Sequence, residues 1–297
     1  MTRVVIATSD WTSWPGFAGA TWVPMQYLLG FERLGVDATW VDHLGCVDPR
    51  EDPHSVEYLM ARFEATARSF RFHGRWCVIY AGGTRHFGMS ASDLEARVAD
   101  ADLLVRLSGV GLPEGSSLLR IPRRAYVDVD PGFTHIWDHE VDLRLDMYHT
   151  LFTVGLNVGT PRFAIPTRGR EWHPILPPVV LPLWPAHVDE TCRRFSTIGD
   201  WWGNQHTRFD GEYYGTKREE FLRFVGVPRR ADQSIEAALA IYPGDHKELG
   251  RLHRNGWIIR DPFLYAGDPE AYREFIWYSR GEFSVAKGGY VKSKSGW

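Results

Sequence analysis

Apolar positions in this chain fall into two kinds of run: short unbroken ones, and longer stretches in which they recur every three or four residues. Val4-Val-Ile-Ala7 is the first short run and predicts a buried strand. Thr8 to Gly19 is a loop that carries Gly16 and Gly19. Thr21 to Leu34 then reads as a helix closed by Gly35, and Val36 to Val41 as a second strand ending at Asp42. Asp52-Pro53 opens a helix on which Val56, Leu59, Met60, Phe63, Ala67 and Phe70 share a face. Trp76 to Tyr80 predicts a strand, Ser92-x-x-Glu95 a capping box, and Asp102 to Leu107 another strand. Arg124 to Val129 is a further strand that delivers Asp130-Pro-Gly132, and Phe152 to Leu156 closes the series.

From Trp172 to Pro185 the pattern breaks: five prolines in fourteen residues exclude regular helix and central strand. The alternation then resumes, with strands over Arg194 to Ile198, Ala237 to Tyr242 and Trp257 to Arg260. Thr216-x-x-Glu219 and Asp245-x-x-Glu248 cap the helices between them, and Asp268-Pro269 opens one more. Phe275-Ile276-Trp277-Tyr278 reads as a final strand. Strand, loop, helix, strand, repeated on both sides of a stiff linker, predicts an α/β chain of two Rossmann-like domains facing across a cleft. The expected boundaries are 1–171 for the first domain, 172–185 for the linker and 186–297 for the second.

Composition narrows the partners. A net charge of −3 gives no reason to expect nucleic acid or an anionic membrane, and no apolar stretch reaches the roughly 18 residues of a membrane span. Cys46, Cys77 and Cys192 are isolated, which fits a reducing cytoplasm. The 13 Trp could stack on sugars, but for any one of them core packing is the stronger expectation.

Chemistry is expected in the loops at the carboxyl ends of the strands. On the first half these carry Gly16 and Gly19, Gly82 to His86, and Asp130 to His135. On the second they are Gly199 to Gly203, Tyr242 to Gly244, and Ser279 to Glu282. All five lysines lie after residue 216, three of them in the last twenty residues. There a serine–glycine turn and nearby ammonium groups suit an anion, while Glu282 suits hydroxyl groups. Anion plus polyhydroxyl describes a sugar nucleotide; the alternative is a solvated basic tail. Asp130 or His135, just past a strand end, is the candidate general base. Asp128-Val-Asp130 could hold a divalent metal, although so short a match arises often by chance, and His135-x-x-x-His139 has the spacing of a metal pair but lacks a nearby Cys or third His. No G-x-G-x-x-G, P-loop, G-x-S-x-G or C-x-x-C is present, which removes dinucleotide, NTPase, serine-hydrolase and zinc readings.

These residues resemble the GT-B type glycosyltransferases, in particular poorly characterised bacterial proteins of that kind. The likeness rests on Tyr126-Val-Asp-Val-Asp-Pro-Gly-Phe133, Thr153-Val-Gly-Leu-Asn-Val-Gly159, Ile165-Pro-Thr-x-Gly169 with Trp172, and Ser279-x-Gly-Glu-Phe-Ser-Val-Ala-Lys287. It implies a donor loop in which Glu282 meets the sugar or ribose and the N–H groups around Ser279 and Gly281 meet the diphosphate, with Lys287 nearby. It also maps a phosphate-binding Gly and Lys onto Gly199 and Lys217, although Asp200 stands where an Arg usually follows. The second domain is expected to be short at its C-terminal end. The implied activity is transfer of a sugar from a nucleotide-sugar co-substrate to an acceptor, with no further cofactor required and no metal ligand assigned. A non-catalytic scaffold or a sugar-nucleotide epimerase of the same architecture are the alternatives.

Overall fold

A computed structural model describes residues 1–12, 18–45, 53–203, 206–231, 233–242 and 244–297, and the statements below concern those residues. Both faces of the first strand are buried: Val4 and Ile6 enter one core, Val5 and Ala7 the other. That is the signature of a parallel sheet covered on both sides. Strands β1 (Arg3–Ser9), β2 (Asp37–Leu44), β3 (Trp76–Tyr80), β4 (Arg85–Gly88), β5 (Leu103–Leu107), β6 (Arg123–Asp128), β7 (Thr150–Thr153) and β8 (His173–Pro174) form one sheet. Their order is β4-β3-β2-β1-β5-β6-β7-β8, parallel except for β4. The order reverses between β1 and β5, so a crevice opens beside the carboxyl end of β1. Helices α1 (Ala18–Arg33) and α2 (Pro53–Ser69) cover one face; α3 (Ala91–Ala99) covers the other, and α4 (Phe133–Glu140) follows β6.

The second half is smaller. Its sheet, β13-β12-β9-β14, is built from β9 (Arg194–Asp200), β12 (Ser234–Ala240), β13 (Ile258–Arg260) and β14 (Gly281–Glu282), all parallel. A hairpin of β10 (Thr207–Phe209) and β11 (Glu212–Tyr214) precedes α5 (Lys217–Arg223); α6 (His246–Arg254), α7 (Pro262–Tyr265), α8 (Pro269–Trp277) and α9 (Gly288–Ser293) complete it. Trp201, Phe221, Leu252 and Trp257 centre the core of this half. Trp22, Trp40, Trp76, Trp172, Trp201 and Trp257 are all buried, so packing does claim much of the tryptophan content. Each such ring removes roughly 200 Å² from water, on the order of 5 kcal/mol of transfer free energy.

Several local expectations change. Phe275 to Tyr278 is not a strand: it is the last turn of α8 and its cap, because Asp268 accepts from the N–H of Ala271 and starts a helix that runs through Trp277. The cap of α3 is Ser90, accepting from Asp93 N–H at 3.1 Å, two residues before the expected Ser92. Thr216 and Asp245 cap α5 and α6 as their spacing predicts. The proline-rich stretch pairs at the sheet edge through β8, where Pro174 is tolerated.

The C-terminal segment returns to the first half. Helix α8 packs on α1, with Trp22 Nε1 donating to Pro269 O at 3.0 Å. A Cβ on Gly289 of α9 would strike the Phe133 ring. Beyond α9, Ser293 O accepts from Ala164 N–H at 2.8 Å and Ser295 O from Asn157 N–H at 2.9 Å. Ser293 and Ser295 are fully buried, so the end of the chain is docked structure and not a solvated tail. No helix among the described residues is long and apolar enough to cross a membrane.

Candidate functional site between the two halves

A cavity of about 1040 Å³ lies where the two halves meet. Its first-half wall begins at the carboxyl end of β1 with Ser9, Asp10 and Trp11. A buried carboxylate behind this loop holds it in place. Asp42 accepts from Thr8 Oγ1 at 2.6 Å, Thr12 Oγ1 at 2.6 Å and Thr12 N–H at 2.9 Å, while Trp40 Nε1 donates to Thr8 Oγ1 at 2.7 Å. Burial pushes the Asp42 carboxyl up, and these hydrogen bonds pull it back down.

The same device recurs at β6. Asp128 accepts from Thr134 Oγ1 at 2.7 Å, Thr153 Oγ1 at 2.9 Å and Asp130 N–H at 3.0 Å. It is fully buried, and desolvation raises it to about 7 against those bonds. The Asp-x-Asp pair is therefore split: Asp128 is turned into the protein, and Asp130 alone lines the cavity. No cluster of three metal-ligating side chains occurs among the described residues. Asp130 accepts from Lys287 Nζ at 3.2 Å and from the Tyr290 hydroxyl, so its carboxylate bridges the halves. Gly132, at φ +100°, leaves room for Ser293, whose Oγ lies 2.6 Å from where a Cβ would stand.

His135 is placed away from the cavity. It is 2% exposed, packed 4.8 Å from the rings of both Phe163 and Trp172, and burial lowers it to about 3. At that value it is neutral, so its 3.8 Å approach to Asp128 is not an ion pair. His139 reaches Pro166 O at 3.0 Å instead of joining it.

The second-half wall carries the positive charge. Gly199, one residue before the end of β9, lies next to the side chain of Lys217, whose Cδ lies 3.0 Å from where a Cβ on Gly199 would be. Any larger residue would displace the lysine. Lys217 Nζ donates to Ile198 O at 3.2 Å, and its pKa is lowered by burial first, with Lys287 lowering it further and Glu282 opposing. Lys217 and Lys287 thus face one cavity close enough to repel each other. Gly199, Lys217, Lys287, Gly19 and Asp130 all line it. Gly19 lies at the start of α1 against the Tyr272 ring; Gly16 lies outside the described residues.

Ser279, Gly281 and Glu282 are not on the wall. Ser279 Oγ is bonded to Ser196 Oγ and Phe275 O, both at 2.6 Å, at the end of α8. Gly281 packs on Phe195, and Glu282 pairs with Ser196, early in β9, so only its charge reaches Lys217.

The sequence reading passes over the rest of the first-half wall. Trp22, Tyr27 and Trp184 line the cavity with Pro177 and Pro178, the two indoles 4.7 Å apart. Gln26, on the same wall, accepts from Val180 N–H at 2.7 Å. Asp10 follows a strand end just as Asp130 does, and the same rule applied to β1 would have found it.

Two solved structures share this fold. One is an alpha-glucosyltransferase in complex with UDP and a 13-mer DNA containing a central A:G mismatch. It aligns at TM-score 0.55 and 13% identity, over 97% of this chain and 72% of that one. The other is an alpha-glucosyltransferase in complex with UDP, at TM-score 0.51 and 11% identity, over 100% of this chain and 79% of that one. At such identities the likeness shows the fold, a GT-B-like pair of Rossmann-like halves. No protein-family model and no curated protein matches the chain.

Proposed function

We propose that this chain is a glycosyltransferase that moves a sugar from a nucleotide donor to a hydroxyl acceptor. The observation that carries this reading is the convergence of Gly199, Lys217 and Lys287 on one wall of the cavity between the halves, with Asp130 beside them. Two ammonium groups in a poorly solvated cleft favour a diphosphate, and they would stabilise the charge that grows on it as the sugar departs. In this reading no metal ligand is assigned, and the lysines carry the countercharge. Glu282 helps keep Lys217 charged, which is an indirect part in donor binding. Asp130 is the base. Its hold on Lys287 couples the two substrates: a diphosphate competes for that lysine and loosens the carboxylate as the donor settles. That both UDP-bound structures share the fold supports a uridine nucleotide as the first ligand to try.

Thermal unfolding with UDP, GDP, ADP, CMP and TDP, with and without Mg²⁺, tests this. A ligand held only by the folded chain at a hundred times its Kd adds about 2.7 kcal/mol. Selective stabilisation by one diphosphate is expected. No shift with any of them would leave a non-catalytic shell. Conversion of the donor sugar without acceptor would make the protein an epimerase.

A further inference from the structure

Building on that reading, we infer that the acceptor is a small phenol-like compound whose ring seats on the first-half wall formed by Tyr27, Trp184, Pro177 and Pro178, with the buried Trp22 packed behind Trp184. Room is the first argument. A cavity of about 1040 Å³ stands at the top of the range, about 300–1,000 Å³, that ordinarily encloses a small ligand. A donor and a ring-sized acceptor can therefore share it.

Charge is the second. Among the described residues, the first-half lining carries the carboxylates of Asp10 and Asp130 and neither Lys nor Arg. A polyanion such as a nucleic-acid backbone would meet repulsion there, since phosphate recognition rests on cations. Polarity is the third. The carboxamide on this wall, Gln26, already spends its oxygen on Val180 N–H. A polyhydroxyl acceptor would bury without partners those hydroxyls that the two carboxylates do not reach, at about 1–3 kcal/mol each. A flat apolar ring instead gains from stacking on indole and phenol faces.

The chemistry agrees. The acceptor oxygen bonds to the anomeric carbon as the bond from that carbon to the diphosphate oxygen breaks. The diphosphate leaves with the electron pair and is met by Lys217 and Lys287, and the hydroxyl proton passes to Asp130. Asp130 already accepts from Lys287 and Tyr290, so the step suits a hydroxyl that releases its proton readily; a phenol does so near pH 10.

The test is calorimetric titration of the full chain, with and without UDP, using 4-methoxyphenol, maltose and a 13-mer DNA duplex. The phenol is expected to bind and the other two to be silent. Val179→Asp, at a cavity-lining position that is 56% exposed, and Tyr27→Leu should each weaken phenol binding at least tenfold while keeping the UDP-induced thermal shift. Lys217→Met should lose the UDP shift and keep phenol binding, so the two readings fail separately. Binding of maltose or the duplex with the phenol silent, or phenol affinity unchanged in both wall variants, would overturn the inference.

Discussion

The two walls of the cavity use charged residues in opposite ways. On the first half, Asp42 and Asp128 sit fully buried behind the lining, satisfied by threonine hydroxyls, and hold the loops after β1 and β6. On the second half, Lys217 is partly buried, its Nζ donates among the described residues to the Ile198 carbonyl alone, and it lines the same cavity as Lys287. A buried carboxyl group ringed by hydrogen bonds stabilises local geometry. Burying a charge beside a like one costs stability, and is kept where a ligand of the opposite sign supplies the partner. The walls thus divide into a scaffold that positions and, in the proposed function, a surface that binds.

The contrast breaks most sharply at Lys217. Lys217→Met should weaken nucleoside diphosphate binding by about 3 kcal/mol, while the unliganded fold holds or gains, since burial already disfavours the ammonium. Calorimetry beside chemical unfolding reads both; unchanged affinity would take the cationic wall out of the account. Asp128 should show its effect in stability alone. Its folded value of about 7 lies above the ordinary value near 4, so the folded state holds the proton more tightly. Its contribution therefore falls as pH rises from about 4 to about 7, by on the order of 3 kcal/mol. Urea unfolding at pH 4.5 and 7.5 should show that loss in the wild type relative to Asp128→Asn; equal pH slopes in the two would contradict it. At the seam between the walls, Tyr290→Phe removes one hydrogen bond to Asp130 and should cost about 1 kcal/mol of stability, seen as a lower melting temperature. Smallest is Glu282→Ala. Acting on Lys217 only through its charge, it should reduce nucleotide affinity about threefold; a hundredfold loss in a titration would put Glu282 in direct contact with the donor.

Much of the fold was legible because its signals are local. An unbroken apolar run such as Val4 to Ala7, a cap such as Thr216 before α5, or Gly35 after α1 acts within a few residues. The β10–β11 hairpin carries such a signal too: Asp210-Gly211, both at positive φ, is the usual two-residue turn. Short ambiguous runs are different. Phe275 to Tyr278 has the residues of a strand, and becomes helix because the helix capped at Asp268 continues through it, packed along α1. Gly288-Gly289 is a poor helix former, yet α9 forms there because only glycine fits against Phe133.

By itself, then, the sequence determined the two α/β halves, since these follow from periodicity, capping and composition near at hand, whereas Gly199 and Lys217 were singled out only through the likeness to GT-B glycosyltransferases. Tertiary structure alone decided which acid faces the cavity. Asp128 and Asp130 are equivalent by strand alternation, and they separate only because Thr134 and Thr153 draw one inward while Lys287 and Tyr290, from the far end of the chain, hold the other. The aromatic wall was decided in the same way, by bringing α1 and the linker together. Contacts between residues distant in sequence leave no periodic trace, so no local pattern could announce them.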